Sequence, residues 1–563
     1  MSENLKNTIF RFAIVFVLIA LVFVVVFARI IVLQTVQREK WMNVVALEDN
    51  YKPIKALRGS IYDSNGCLLA TSVPQYRIYL DTRVQALRLN NGAVFWEYVD
   101  SIADGMSRIV GDQSKEEYRK RMIASYHSRN NRGNYMRLTS ERISYTQLKE
   151  IKKLPLIRGG FYKSGFQEEE LNSRVKPFKS LGGRTIGNIY TVLVEAKNGC
   201  DLHTTFDANL MDICETSLRK RLEHTRAEWG CVVLMDVQTG EIKAMSNLDR
   251  LGNDSYEEIA NHAVVRMEPG STFKTISLMA ALDDGKVKMD DSISVDKAGW
   301  LYHDAKILDA HPRDTVYSIR QAMAASSNIA LAKIITMGYG GSAKKFVKKL
   351  HGMGLCDSVD YTIPGATQAL INVPNDTVTI AKMAYGYSVE LSPLQILMFY
   401  NGIANDGKVM KPLFVKEIRQ NGKTIESFES CVINNDMCDA STLRGIRECL
   451  HDVVWDNDFG TASITPWKTR KAQSDLVSIA GKTGTAQIHE QGYTNRRHRM
   501  SFVGYFPEDN PQYSCICVIH APQGAYDSGL DCGIVVRQIA EKTMAYAGEY
   551  VLKRNEQVLV VNK

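Results

Sequence analysis

No Cys-x-x-Cys pair occurs in the 563 residues, although the chain carries eleven cysteines. Cys515-x-Cys517 would put two thiols on one face of a strand, but no second pair follows at zinc-site spacing, so no metal site is indicated. An odd count leaves at least one thiol unpaired within the chain, and buried, inert thiols are the expected state, with a single disulfide as the alternative. Concentrated basic charge is missing too. The 69 Lys and Arg against 62 Asp and Glu leave a net +7 spread along the chain, too mild to imply nucleic acid. Long apolar runs are almost absent, which excludes a polytopic membrane protein. What is present is ordinary globular material: 45% hydrophobic, 23% charged, mean hydropathy −0.19. That excludes a disordered or collagen-like chain and supplies roughly two to four domains' worth of core without a staple.

The one long apolar run is Phe12 to Ala28, flanked by Arg11 and Arg29 and continued by Ile30-Ile31-Val32-Leu33. It can cross a bilayer if the arginines reach toward the headgroups. A cleaved signal would end on a small-x-small site, and Val26-Phe27-Ala28 lacks the first small residue. An uncleaved anchor within residues 1–34 is expected. Lys6 and Arg11 before it compete with Arg29, Arg38 and Lys40 after it, so charge leaves the orientation open.

The rest reads as two parts. Lys52 to about Arg226 is charged and punctuated by turn clusters such as Asp63-Ser64-Asn65-Gly66 and Asn90-Asn91-Gly92, which suits short strands, hairpins and exposed helices. Leu210 to Arg219 has an amphipathic helical pattern, and beyond it the character changes. Trp229 to Met235 and Glu241 to Ser246 read as a hairpin, and Ser501 to Phe506 with Tyr513 to His520 as another. Between them lie helical patterns at Thr272 to Leu282, Ile319 to Met337 and Leu394 to Ala404. Strands at both ends with helices between predict an α+β domain whose ends meet in one sheet.

Ser271-Thr272-Phe273-Lys274 follows the Pro269-Gly270 turn and opens a helix. A serine there faces free N–H groups and the positive end of the dipole, and a lysine three residues on shares its helical face. That is a nucleophile with a base one turn away. Ser-x-x-Lys alone is weak, since it also occurs at Ser173/Lys176, Ser217/Lys220, Ser294/Lys297 and Ser342/Lys345. Order and setting discriminate. Only Ser271/Lys274 is followed by Ser326-Ser327-Asn328 in a small-residue loop, and then by Lys482-Thr483-Gly484-Thr485 after the alternating run Val477-Ser478-Ile479. A strand there would set a cation, a hydroxyl and the bare backbone of Gly484 beside an extended substrate.

These three motifs resemble the signature of the penicillin-recognising acyl-serine enzymes. Further stretches resemble the class B, monofunctional penicillin-binding proteins, closest to the division-associated branch of peptidoglycan D,D-transpeptidases. They are Leu57-Arg58-Gly59-Ser60-Ile61-Tyr62-Asp63, Ser392-Pro393-Leu394-Gln395, Ile403 to Gly407, Gly460-Thr461-Ala462 and Gly481 to Gln487. The resemblance implies an α+β protein with an N-terminal transmembrane helix, an elongated pedestal over 45–226, and a penicillin-recognising serine transpeptidase domain over 228–548 with a sheet flanked by helices as in β-lactamases. A tail would follow at 549–563. Two departures stand out: Ser64 replaces the family's arginine, and a segment expected after Thr185-Ile186-Gly187 is missing, which implies a shortened pedestal.

The resemblance also implies roles. Ser271 would be the nucleophile, Lys274 its base, Ser326 a proton relay and Asn328 a holder of the substrate amide. Lys482, Thr483 and Thr485 would hold a terminal carboxylate beside Gly484, with Ser271 and Thr485 N–H groups on the oxyanion. Substrates would be peptidoglycan stem peptides, with β-lactams as mimics; no cofactor is implied. Partners would be a membrane-embedded glycan polymerase and other divisome membrane proteins. The catalytic part would lie outside the cytoplasm on the inner membrane. An elongation-type transpeptidase, a serine β-lactamase, a β-lactam sensor and a non-catalytic divisome scaffold are the competing readings. Arg496, Arg497, His498 and Arg499 could meet anionic glycan, but a solvated hairpin tip is the simpler expectation, as is a solvated helix face for Lys344, Lys345, Lys348 and Lys349.

Overall fold

A computed structural model describes residues 3–35, 59–128, 134–178, 181, 185, 199–310, 312–355, 363, 365–488, 497–524 and 527–561. The chain divides into two units, Met1–Ala56 and Leu57–Lys563. The first holds helix α1 (Glu3–Gln34), in which Phe10–Gln34 has mean hydropathy 3.2 and no buried share. Its apolar side chains face outward all round, as a helix solvated by lipid requires. Among the described residues it is the one helix long and apolar enough to cross a membrane.

The second unit begins with β1 (Ile61–Tyr62) and the long β2 (Leu68–Asp81). Helices α2 (Ala93–Val110) and α3 (Lys115–His127), and strands β3 (Tyr135–Arg137), β4 (Ile143–Ser144) and β5 (Phe166–Val175), complete a lobe with its own core around Ile78, Phe95, Met106, Tyr118 and Ile151. The pedestal segment is therefore more than hairpins and exposed helices: β2 and β5 pair over ten positions and carry helices on one face. The segment after Thr185, where the sequence suggests a deletion, lies outside the described residues.

Strand β6 (Asp201–Thr204) leads into α4 (Ala208–Thr225). Asp207 caps α4 through the N–H groups of Asn209 (2.9 Å) and Leu210 (3.1 Å). Met211, Cys214, Leu218 and Leu222 then join the main core, so this helix packs with the elements that follow it. Those are β7 (Trp229–Asp236), β8 (Ile242–Arg250), β9 (Tyr256–Glu257), α5 (Phe273–Asp283), α6 (Ile319–Ala324), α7 (Asn328–Tyr339), α8 (Pro393–Ala404), β10 (Val415–Gln420), β11 (Lys423–Ser427), α9 (Ala440–Trp455), β12 (Ala480–Ile488), β13 (Arg497–Phe506), β14 (Tyr513–His520) and α10 (Ile534–Val561).

The six-stranded sheet runs β12-β13-β14-β7-β8-β9. Both expected hairpins are present, and β14 pairs antiparallel with β7, which closes the ends of the domain into one sheet. The strands read as continuous apolar runs because both faces are covered: Cys231 to Met235 and Cys515 to Ile519 are all buried. Two differences from the sequence reading bear on function. The run Ile319 to Met337 is two helices, α6 and α7, separated at Ala325 to Ser327, where Ser326 takes φ +56. The strand that carries Lys482 begins at Ala480, past Val477-Ser478-Ile479.

The second sheet couples the two parts of this unit. It runs β11-β10-β6-β1-β2-β3, with β4 and β5 also on β2, so a hairpin from residues 415–427 completes a sheet begun at residue 61. The join is also hydrogen-bonded. The buried Asp63 carboxylate accepts from the N–H groups of Asn65 (2.9 Å), Cys67 (2.7 Å) and Ala208 (3.1 Å), and the Asn65 amide donates to Asp207 (2.8 Å). The Asp63 to Cys67 turn is thus a clasp between the lobe and α4.

All ten described cysteines are free thiols, seven of them buried. Burial pushes Cys214, Cys231 and Cys515 well above the usual thiol range, which makes them inert as nucleophiles. Two surface readings change. Arg496 lies outside the described residues, while Arg497 to Arg499 lie within β13 rather than at a solvated tip: Arg497 pairs with Glu228 and Arg499 lies 6.0 Å over Trp229. Lys349 is tied to Asp283 and Asp284.

Candidate active site

Ser271 lies in a 3-10 turn, Gly270 to Thr272, that runs directly into α5. The turn is held from three sides. Gly270 adopts φ +58 and donates to the Gly386 carbonyl (3.1 Å), and Gly386 in turn has φ +87. The fully buried Tyr400 of α8 donates to the Thr272 carbonyl (2.8 Å) and meets the Thr275 hydroxyl (2.7 Å). A Cβ at Gly484 would come within 2.2 Å of Ser501 Oγ and 2.9 Å of Thr272 Cγ2, so a glycine lets β12 lie against the serine turn.

Lys274, fully buried in α5, donates to the Ser326 carbonyl (2.5 Å) and to Ser326 Oγ (3.1 Å). Lys482 on β12, equally buried, donates to the same Ser326 Oγ (2.9 Å), to the Thr483 carbonyl (3.0 Å) and to Thr483 Oγ1 (3.3 Å). Two amines from different elements therefore converge on one hydroxyl. The left-handed backbone of Ser326, unfavourable by roughly 1–2 kcal/mol for a residue with a Cβ, turns both its carbonyl and its hydroxyl toward them. Ser271 sits one turn before Lys274, half-buried, while the Lys274 amine is turned to Ser326.

Asn328 opens α7, and its Nδ2 donates to the Leu308 carbonyl (2.8 Å). Ser327 caps the same helix by accepting from Ala330 N–H (3.0 Å). Thr483 Oγ1 lies 2.6 Å from Thr461 Oγ1, and Thr485 Oγ1 lies 3.4 Å from Ser528 Oγ. The structure thus gathers Lys274, Ser326, Lys482 and Thr483 into one hydrogen-bonded group. Ser271, Asn328, Gly484 and Thr485 border it on the adjoining turns and strand. The decoys lie elsewhere; Ser217, for one, is buried in α4 and accepts from Lys542 (3.2 Å).

The electrostatics follow from burial. Desolvation pushes the Lys274 amine down to about 7, against the opposing pull of the Asp309 carboxylate. Lys482 is pushed well below the ordinary lysine range, first by burial and then by the positive Lys274 beside it. Sequence reasoning missed three residues. Asp309 accepts from Ser327 Oγ (2.7 Å) and Ile329 N–H (3.0 Å), anchoring the 326–328 loop. Thr461 and Tyr400 are the others. Gly460-Thr461-Ala462 was visible as a stretch without a role, whereas Asp309 and Tyr400 carry no local pattern at all.

A serine on a helix-opening turn, with two desolvated lysines around a second serine and an open sheet edge alongside, defines an acyl-serine class of site on an α+β scaffold. The chain belongs to the penicillin-binding protein transpeptidase family: the model for the penicillin binding protein transpeptidase domain matches residues 230–541. The penicillin-binding protein dimerisation domain matches 53–206. The chain is 27% identical over 363 residues to a probable peptidoglycan D,D-transpeptidase PenA of Neisseria flavescens, covering 62% of this chain and 84% of that one. Against PenA of Neisseria meningitidis the match spans 56% of the relative's length. A probable peptidoglycan D,D-transpeptidase PbpC of Pseudomonas aeruginosa is 24% identical over 93% of this chain and 92% of its own. The fold is that of penicillin binding protein 2X from Streptococcus thermophilus, with TM-score 0.72 and 19% identity, covering 87% of this chain and 79% of that one.

Proposed function

We propose that the protein is a peptidoglycan D,D-transpeptidase working through an acyl ester on Ser271. The observation that carries this reading is the convergence of the Lys274 and Lys482 amines on Ser326 Oγ, with Lys274 one turn along from Ser271. An amine brought down to about 7 is half neutral near physiological pH and can take the Ser271 proton as Oγ attacks the penultimate D-Ala carbonyl. The oxyanion that develops faces the N–H groups of Ser271 and Thr485. As the peptide C–N bond breaks, Ser326 passes the proton from Lys274 to the departing amine of the terminal D-Ala. An acceptor amine from a second stem peptide then attacks the ester, losing a proton to Lys274, and as the C–O bond breaks the crosslink is formed and that proton passes to Ser271 Oγ.

Lys482, Thr483 and Thr485 hold the donor's terminal carboxylate, the group that a β-lactam also presents. Asn328 uses its amide nitrogen on Leu308, which leaves its Oδ1 to accept from a substrate N–H. The pedestal ends near Thr205 in this reading, since α4 packs in the catalytic core. α1 anchors the chain with the site outside the cytoplasm, where peptidoglycan is. Acyl transfer at Ser271 makes no glycan bond, so a membrane-embedded polymerase is the partner, and resemblance to the division branch supports a septal role with other divisome membrane proteins. Purified full-length protein given a stem-peptide thioester and a D-amino acid should yield the exchanged product, and Ser271→Ala should yield none. Turnover by Ser271→Ala would overturn the reading. A fluorescent fusion concentrated along the sidewall rather than at midcell would overturn the septal assignment.

A further inference from the structure

The segment between α9 and β12 leaves the site and returns to it as two paired arms. At its base the Thr461 hydroxyl lies 2.6 Å from that of Thr483, and the Thr461 carbonyl accepts from Lys471 Nζ (3.1 Å). Ala472 N–H donates to the Ala462 carbonyl (3.0 Å), Lys471 N–H donates to the Ser463 carbonyl (3.1 Å), and Ile464 bridges to Arg470. The arms end in a tight turn. Lys468 N–H donates to the Thr465 carbonyl (2.8 Å) across Pro466 and Trp467, with the proline at the position of a turn that its fixed φ suits. Thr465 N–H donates to the Thr469 carbonyl (2.8 Å), and the buried Thr465 hydroxyl accepts from Thr469 N–H (2.9 Å). At the tip Trp467 is 86% exposed, with the exposed Lys468 beside it. The indole adds nothing to the core, yet the turn beneath it is fully hydrogen-bonded, so a ligand meets a large flat surface with little freedom left to lose.

We propose that Trp467 docks a sugar ring of the acceptor glycan strand, an inference that rests on the transpeptidase reading. The acceptor amine attacks the acyl carbonyl from the side that the terminal D-Ala amine has left, because the two steps are one reaction run in opposite senses. The acceptor stem therefore leaves the site past Lys482 and Thr483, where the Thr461 segment begins. Residues 461 to 467 can reach up to roughly 20 Å from Thr461, and a stem of a few residues with its side-chain amine spans about 10–17 Å before the sugar that carries it. The two lengths match. A single indole covers at most about 250 Å², the footprint of a sugar ring, and falls short of the roughly 800 Å² per partner that a stable protein interface takes. Its face and the C–H face of a pyranose are both apolar, while Lys468 can donate to hydroxyl or acetamido oxygens at the ring's edge.

The test gives full-length protein in detergent a stem-peptide thioester as donor and compares a D-amino acid, a free stem peptide and the same stem on its disaccharide as acceptors. The unsubstituted protein should take the disaccharide-linked stem at a lower KM than the free one. Trp467→Ala should acylate at the unsubstituted rate and transfer normally to the D-amino acid and the free stem. Its KM for the disaccharide-linked stem should rise roughly 5- to 20-fold with kcat unchanged. Trp467→Phe should recover most of that loss, and Trp467→Leu, apolar but without a flat face, should not. Equal losses with the free and sugar-linked stems, full recovery in Trp467→Leu, or an unchanged KM for every acceptor would overturn the docking assignment while leaving transfer to the D-amino acid intact. If the unsubstituted protein makes no product even with the D-amino acid, the transpeptidase reading fails and takes the sugar contact with it.

Discussion

Lys274 and Lys482 look equivalent in the sequence, and their surroundings make them different. In the proposed mechanism Lys274 must be neutral to act, so acylation should rise with pH and level off above an acid limb near 7, where burial has brought its amine. Asp309 favours the protonated amine, so Asp309→Asn should move that limb to lower pH; a stopped-flow pH profile with one β-lactam measures both, and a limb that moves upward would refute the assignment. Lys274→Arg keeps the charge but offers no usable base, because guanidinium stays protonated. Its acylation rate should fall by roughly 10² to 10⁴. Lys482→Arg keeps a cation for the carboxylate, so its loss should be smaller and confined to capture. Both lysines could be picked out in the sequence by order and setting. The Asp309 contact could not, since a loop carboxylate is joined to the Ser327-Asn328 helix start only by folding.

At the scale of elements, the two hairpins and α5 and α8 were legible, because strands buried on both faces, the Pro269-Gly270 turn before α5 and the Ser392 cap on α8 leave local marks. The break between α6 and α7 is marked only by Ser326-Ser327-Asn328 within a run otherwise rich in Ala, Ile and Leu. Ser327 caps α7, and Ser326 takes a left-handed conformation held by contacts to Lys274 and Lys482. The serine turn depends on a different close approach. A methyl group at Gly386 would lie 2.0 Å from the Gly270 carbonyl, at a residue already at φ +87. Gly386→Ala should therefore cost at least about 1–2 kcal/mol and displace the turn that carries Ser271. Thermal unfolding together with acylation rates would show both losses; a variant with wild-type acylation would mean that the turn is not held by that contact.

For the whole molecule, the change of composition near residue 226 left unmarked both the packing of α4 with the core that follows it and the sheet shared across the second unit. Its strands β6 and β10 are distant in sequence, and β11 has no buried residue to mark its register. The clasp at Asp63 was visible only as a family stretch, and its buried carboxylate explains why that stretch is needed: it ends three backbone N–H groups that would otherwise be unsatisfied. The proposed placement of the second unit outside the cytoplasm can be tested independently of chemistry. Protease added to intact spheroplasts should digest Leu57–Lys563 and leave the segment around α1; protection of the region around Lys482 would contradict a peptidoglycan substrate.

The account stands on the choice of Ser271 among five Ser-x-x-Lys sites. A fluorescent penicillin should label the full-length protein covalently, and mass spectrometry of the digested adduct should find the acyl group on the peptide containing Ser271. Ser271→Ala should abolish the label while Ser342→Ala, at a decoy, should leave it intact. An adduct on any other serine, or persistent labelling of Ser271→Ala, would contradict the account.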